Sequence, residues 1–132
     1  VVRELFADAY VTLTLDAARG LVRYARSATP YPSLEDVRRV HEAVLGVLSS
    51  VPPDARKVLL DLRAAPPRND PAFEAEVTRA LQKMMPRFAR RAVLVKSAAG
   101  RLQTQRLARE RGDAAPAIFD DEADALAHLD AD

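Results

Sequence analysis

Few side chains in this sequence combine the types and spacings that chemistry needs. Asp61 closes the apolar run Lys57-Val58-Leu59-Leu60, just ahead of a Pro-rich loop. At the carboxyl end of a buried strand, where open α/β sheets receive ligands, such a carboxylate can accept hydrogen bonds from a ligand. It can equally cap its own loop or pair with Arg63 or Arg68, and the sequence favours that role. Arg63, Arg68 and Asn69 precede a helix whose first free amides would help to hold an anion. No Gly-rich cradle accompanies them, and a solvated loop accounts for all three. His41 falls on the apolar stripe of a helix, as a satisfied core histidine does, and His128 lies near a helix C-terminus, where a positive imidazole suits the dipole. Neither has a second ligand at metal spacing, so no metal centre is expected. Ser97 follows an apolar run, but Val95-Lys96-Ser97 lacks the glycine that precedes a nucleophilic serine on a strained elbow, and it reads as a helix cap. Acid, base and nucleophile do not assemble. No enzyme activity and no cofactor are expected.

The elements that would position these groups follow from periodicity. Tyr10 to Asp16 alternates, with Val11, Leu13 and Leu15 on one face and Tyr10, Thr12 and Thr14 on the other, which predicts a half-buried strand. Gly20 permits a tight turn into a second strand over 21–27. Ser33 caps a helix whose stripe is Leu34, Val37, His41, Val44, Leu45 and Leu48, with Glu35 and Asp36 in its first turn. Gly46 inside that helix suggests a close packing contact. The run 57–63, apolar on both faces, predicts a central strand. Asp70 and Pro71 open a second helix with Phe73, Val77, Leu81, Met84 and Phe88 inward, ended near Pro86. A strand over 91–96 follows. A third helix from Ser97 to Gly112 has Leu102 and Leu107 inward, an edge strand covers 117–119, and a last helix has Ala123, Leu126 and Leu129 inward. The fold class is α/β, a mixed and mostly parallel sheet with an N-terminal hairpin, in the order ββαβαβαβα. The helices are expected on one face of it. Leu59 and Leu94 would then line an uncovered side, giving either an apolar patch for self-association or a surface covered by Leu5 and Phe6.

Net charge is +1 over 132 residues, so nothing draws the whole chain toward nucleic acid or an acidic membrane. Cys is absent, no apolar run approaches a membrane span, and no leader follows Val1-Val2, which together set a cytoplasmic location as the expectation. The charge is unevenly placed. Residues 87–111 hold eight basic side chains and one acid, while 113–132 hold seven acids and no Lys or Arg. Arg101, Arg106, Arg109 and Arg111 would form a basic surface for an acidic partner, or else the basic and acidic helices complement each other within one molecule. That helix has no aromatic residue, so nucleic-acid binding is not expected.

The order ββαβαβαβα, the phrase Val58-Leu59-Leu60-Asp61-Leu62-Arg63 and the ending Ile118-Phe119-Asp120-Asp121-Glu122-Ala123-Asp124-Ala125-Leu126 resemble the SpoIIAA-like group. That group belongs with the STAS domains of anti-sigma-factor antagonists and sulfate transporters. The resemblance covers roughly Tyr10 to Leu129. It implies a single STAS-like domain over residues 1–132, a β-α superhelix with strands side by side in chain order. It also implies that the domain acts by docking a partner protein, and some related members carry small or lipid-like ligands. Phosphorylated antagonists carry an Asp-Ser-Ser-Gly-type switch in the loop after the equivalent strand. Here no Ser or Thr occurs between Asp61 and Thr78, so no phosphate can be placed at that helix start. The expected function is a non-enzymatic cytoplasmic regulatory module that binds another protein, with a homodimer through the sheet face as one form of it. The alternative is a carrier or sensor of a small apolar or anionic ligand near the end of the central strand.

Overall fold

Six strands lie side by side in chain order in one mixed sheet. The computed structural model describes residues 2–66, 70–97, 101, 102, 105, 106, 109 and 117–131. The strands are β1 (Val2–Ala7), β2 (Val11–Asp16), β3 (Leu21–Arg26), β4 (Lys57–Asp61), β5 (Arg90–Leu94) and β6 (Ile118–Phe119). The helices are α1 (Leu34–Leu48), α2 (Pro71–Met84) and α3 (Glu122–Asp130), and α2 runs into a 3-10 turn at Met85–Arg87. β1, β2 and β3 pair antiparallel, and β3 to β6 pair parallel. Three strands therefore precede α1, one more than the expected hairpin. A bulge between Glu4 and Phe6 breaks the alternation of β1 and hides it from a period-two reading.

Local chemistry sets the helix starts. Ser33 Oγ accepts from the Asp36 amide, and Asp70 Oδ1 accepts from the Ala72 amide at 3.0 Å, with Pro71 in the first helical position. Pro86 converts the end of α2 into the 3-10 turn. Gly20 has φ +62°, and a Cβ there would lie 2.9 Å from the Asp54 carbonyl oxygen, so the hairpin needs glycine for both its turn and its closeness to the next loop. Gly46 has no such neighbour within 4 Å, and the packing contact expected of it is absent.

The sheet separates two cores. Val11, Leu13, Val22, Tyr24, Val58, Leu60 and Val93 meet α1 and α2 through Val37, Val44, Phe73 and Met84. On the other face Leu21, Leu59, Ala92 and Leu94 meet Ala125 and Leu129 of α3. The helices therefore do not all share a face. α1 and α2 are crossovers between parallel strands, which places both on one side of the sheet. α3 is not a crossover between two of the described strands, and it takes the opposite side. Leu59 and Leu94, both 0 % exposed, are thus covered by α3, and neither an open apolar patch nor a cover of Leu5 and Phe6 describes them. Leu5 and Phe6 pack instead against the α1/α2 core.

Three smaller expectations also change. Tyr10 leaves the Thr12/Thr14 face and stacks on Tyr31, with ring centroids 4.8 Å apart. Arg101, Leu102, Gln105, Arg106 and Arg109 are helical, but Leu102 is 66 % exposed rather than inward. Leu107 and Gly112 lie outside the described residues. In α3, Ala123 is exposed and Ala125 takes the buried position. Among the described residues no helix is long and apolar enough to cross a membrane.

Candidate functional site

The carboxyl end of β4 gathers four charges. Parallel register sets Arg23 of β3 beside Leu59 and Ala25 beside Asp61, so Arg23 and Asp61 share a face as diagonal neighbours. Arg23 Nη1 donates to Asp61 Oδ2 at 3.2 Å and to Glu122 Oε1 at 3.1 Å. Arg63, just past the strand, grips Asp61 with two parallel bonds, Nε to Oδ1 at 3.0 Å and Nη2 to Oδ2 at 2.8 Å. The same Nη2 reaches Glu122 Oε1 at 3.0 Å, and the Arg63 amide adds a bond to Asp61 Oδ1 at 3.2 Å. Two guanidinium groups and two carboxylates thus form a neutral cluster at the first residue of α3.

Electrostatics here favour the charged forms. Partial burial alone pushes the Asp61 carboxyl up, but the bonds from Arg63 and the positive charges of Arg63 and Arg23 outweigh it and hold the group below the usual carboxylate range. Hydrogen bonding to Asp61 raises Arg63 in turn. Asp61 is therefore a filled, ionised acceptor at neutral pH, and a group held ionised in this way is poorly placed to shuttle protons. The pairing with Arg63 matches the structural role that the sequence favoured. Arg23 and Glu122 were not anticipated, because only strand register and the position of α3 bring them there.

The other residues singled out do not join this cluster. Arg68, Asn69 and Arg111 lie outside the described residues. Arg101 Nη2 donates to the Ile118 carbonyl oxygen at 3.3 Å, and Arg106 pairs with Glu74 of α2 at 2.8 Å. Arg109 is exposed. Arg101 and Arg106 thus bond to β6 and to α2. The ends of α3 are paired with the sheet instead: Glu122 with Arg23 and Arg63, and Asp130 with Lys57 (3.0 Å) and Arg19.

A second locus lies between α1 and α2, where a crevice of about 100 Å³ is lined by Val37, Arg38, His41, Glu42, Glu76 and Arg79 among others. His41 and Glu76 are the buried polar residues of the described chain. Glu76 accepts from Arg38 Nε at 2.9 Å and pairs with Arg79 at 3.5 Å. Glu76 was missed by the sequence reading, although three residues after Phe73 and four before Ala80 it falls inside the apolar stripe of α2. His41 is the satisfied core histidine expected of it, and burial lowers its pKa. No group of three or more His, Cys, Asp or Glu among the described residues is placed to hold a metal ion.

Compared with models of protein families, with curated proteins and with solved structures, the chain gives no match.

Proposed function

We propose that the chain is a non-enzymatic regulatory module of the STAS-like type, working in the cytoplasm by binding another protein and carrying no phospho-switch at the loop after β4. The observation that carries this reading is the state of Asp61. The acid at the strand end, where a ligand or a catalytic group would be expected, is closed off by Arg23 and Arg63. The chain-ordered sheet and the phrases around Asp61 and Ile118 support the STAS-like assignment. The crevice between α1 and α2, about 100 Å³, is small for a lipid-like cargo.

Native mass spectrometry of gently purified protein, paired with size-exclusion chromatography, tests the proposal. A stoichiometric complex with a second polypeptide, the same chain or another, is the expected result. A monomer carrying extra non-protein mass would replace the module with the carrier, and a bare monomer under all conditions would overturn both. Reproducible turnover abolished by Asp61→Ala would instead revive an enzyme.

A further inference from the structure

The two cores differ in size, and among the described residues the smaller one is covered by α3, with Phe119 of β6 beside it. α1 and α2 bury a broad apolar surface on one face of the sheet, whereas α3 contributes only Ala125 and Leu129 as buried residues. Beneath it lies a strip of inner-strand residues, Leu21, Leu59, Ala92 and Leu94, each 6 % exposed or less. What flanks that strip is net basic once the acids of α3 are set aside, Asp61 offsetting one of the two arginines beside it. At one end Arg23 and Arg63 hold Glu122, and at the other Lys57 and Arg19 hold Asp130. Arg90 caps the C-terminal end by donating from Nη2 to the His128 carbonyl oxygen at 2.7 Å, while its Nε is buried without a hydrogen-bond partner. Partly exposed ion pairs weaken as salt screens them, and a layer with few buried apolar contacts opens at less cost than the whole fold.

We propose that α3 is a displaceable cover, and that the strip beneath it docks an acidic amphipathic helix of a partner protein that replaces α3. The partner's chemistry is set by what α3 itself supplies: a narrow Ala/Leu stripe with one carboxylate at each end, about 12 Å apart along the axis at 1.5 Å per residue. Removing α3 leaves an apolar floor with an excess of Arg and Lys at both ends, which fits an acidic helix and repels a basic one. The existence of the partner rests on the interaction-module reading; the release of α3 does not.

Hydrogen exchange on the full chain tests the release. At low salt the α3 amides are expected to exchange at least ~10-fold faster than those of β4 and β5, and to accelerate further when NaCl is raised from about 0.05 M to about 1 M. Glu122→Gln with Asp130→Asn should give the same acceleration at low salt. A fluorescent peptide of residues 121–131 then probes the strip. It should bind the doubly substituted protein about 10-fold more tightly than the unsubstituted one, because its competitor is weakened, and should lose binding when Glu122 and Asp130 of the peptide are neutralised. Exchange of α3 only in step with β4 and β5 at every salt concentration would overturn the proposal, as would a folded double variant that fails to bind the peptide. If the double variant does not fold, the exchange rates of the unsubstituted chain decide alone. A native complex in which α3 stays fully protected would keep the interaction module and discard the displacement.

Discussion

The Tyr24 hydroxyl lies 2.8 Å from His41 Nε2, and the opposite ring nitrogen, Nδ1, lies 2.9 Å from the Val37 carbonyl oxygen. A carbonyl can only accept, so Nδ1 carries the proton and Nε2 accepts from Tyr24. The imidazole is thereby neutral and bonded on both sides inside the larger core. Burial lowers its pKa, the charge of Arg26 adds to that, and Asp8, Glu76 and the Val37 carbonyl oppose it. Tyr24 is itself raised well above the usual phenol value, first by burial and then by Tyr31, so it stays a donor.

Stability should consequently depend on pH through His41. Below the ordinary imidazole value of about 6.5 the unfolded chain takes up a proton that the folded chain refuses, until the lower folded value is passed. More protons bound in the unfolded state means that stability rises with pH in that window and falls as the solution is acidified. The slope from one such group is at most about 1.4 kcal/mol per pH unit. Denaturant melts of the unsubstituted chain and His41→Gln between pH 7 and pH 5 check this. The variant should show the flatter profile, and parallel profiles would refute the assignment.

Asp61→Asn should leave Arg23 and Arg63 facing each other with half their counter-charge. Because the cluster is partly exposed, the cost is about 1–2 kcal/mol rather than that of a fully buried ion pair. Measured with Arg63→Met in a double-mutant cycle, the two changes should be less than additive, since both break the same pair of bonds. Full additivity would mean that the bonds contribute nothing.

Leu59→Ala separates the observed fold from one with an uncovered sheet. Under α3 the side chain is enclosed, so its truncation should cost about 2–5 kcal/mol, as in other cores. On an open face the loss would be under about 1 kcal/mol. Chemical denaturation distinguishes the two outcomes directly.

Gly20→Ala and Gly46→Ala should move stability in opposite directions. The first forces a Cβ into the left-handed region and against the Asp54 carbonyl, costing about 1–2 kcal/mol. The second places alanine at an exposed helical position with open space around it, gaining up to about 1 kcal/mol. Melting temperatures that shift in the same direction would contradict one of the two.

Much of the molecule is legible without its structure wherever the signal is local. The alternation of Val11, Leu13 and Leu15 predicts a strand, Ser33 and Asp70 announce the starts of α1 and α2, and the two-sided apolar run before Asp61 predicts an interior strand. Each of these depends on residues within one turn or one pleat of each other. β1 escapes because its bulge destroys that period. What pairs with Asp61 is different in kind. Arg23 lies 38 residues before Asp61 in the chain and Glu122 lies 61 after it, and they meet only through strand register and the seat of α3. Periodicity tells which residues of a helix face inward but not which face of the sheet that helix will cover. For α1 and α2 the parallel strands on either side decide it. For α3 the choice belongs to Leu59, Leu94, Ala125 and Leu129 packing together, a set that exists only once the chain has folded.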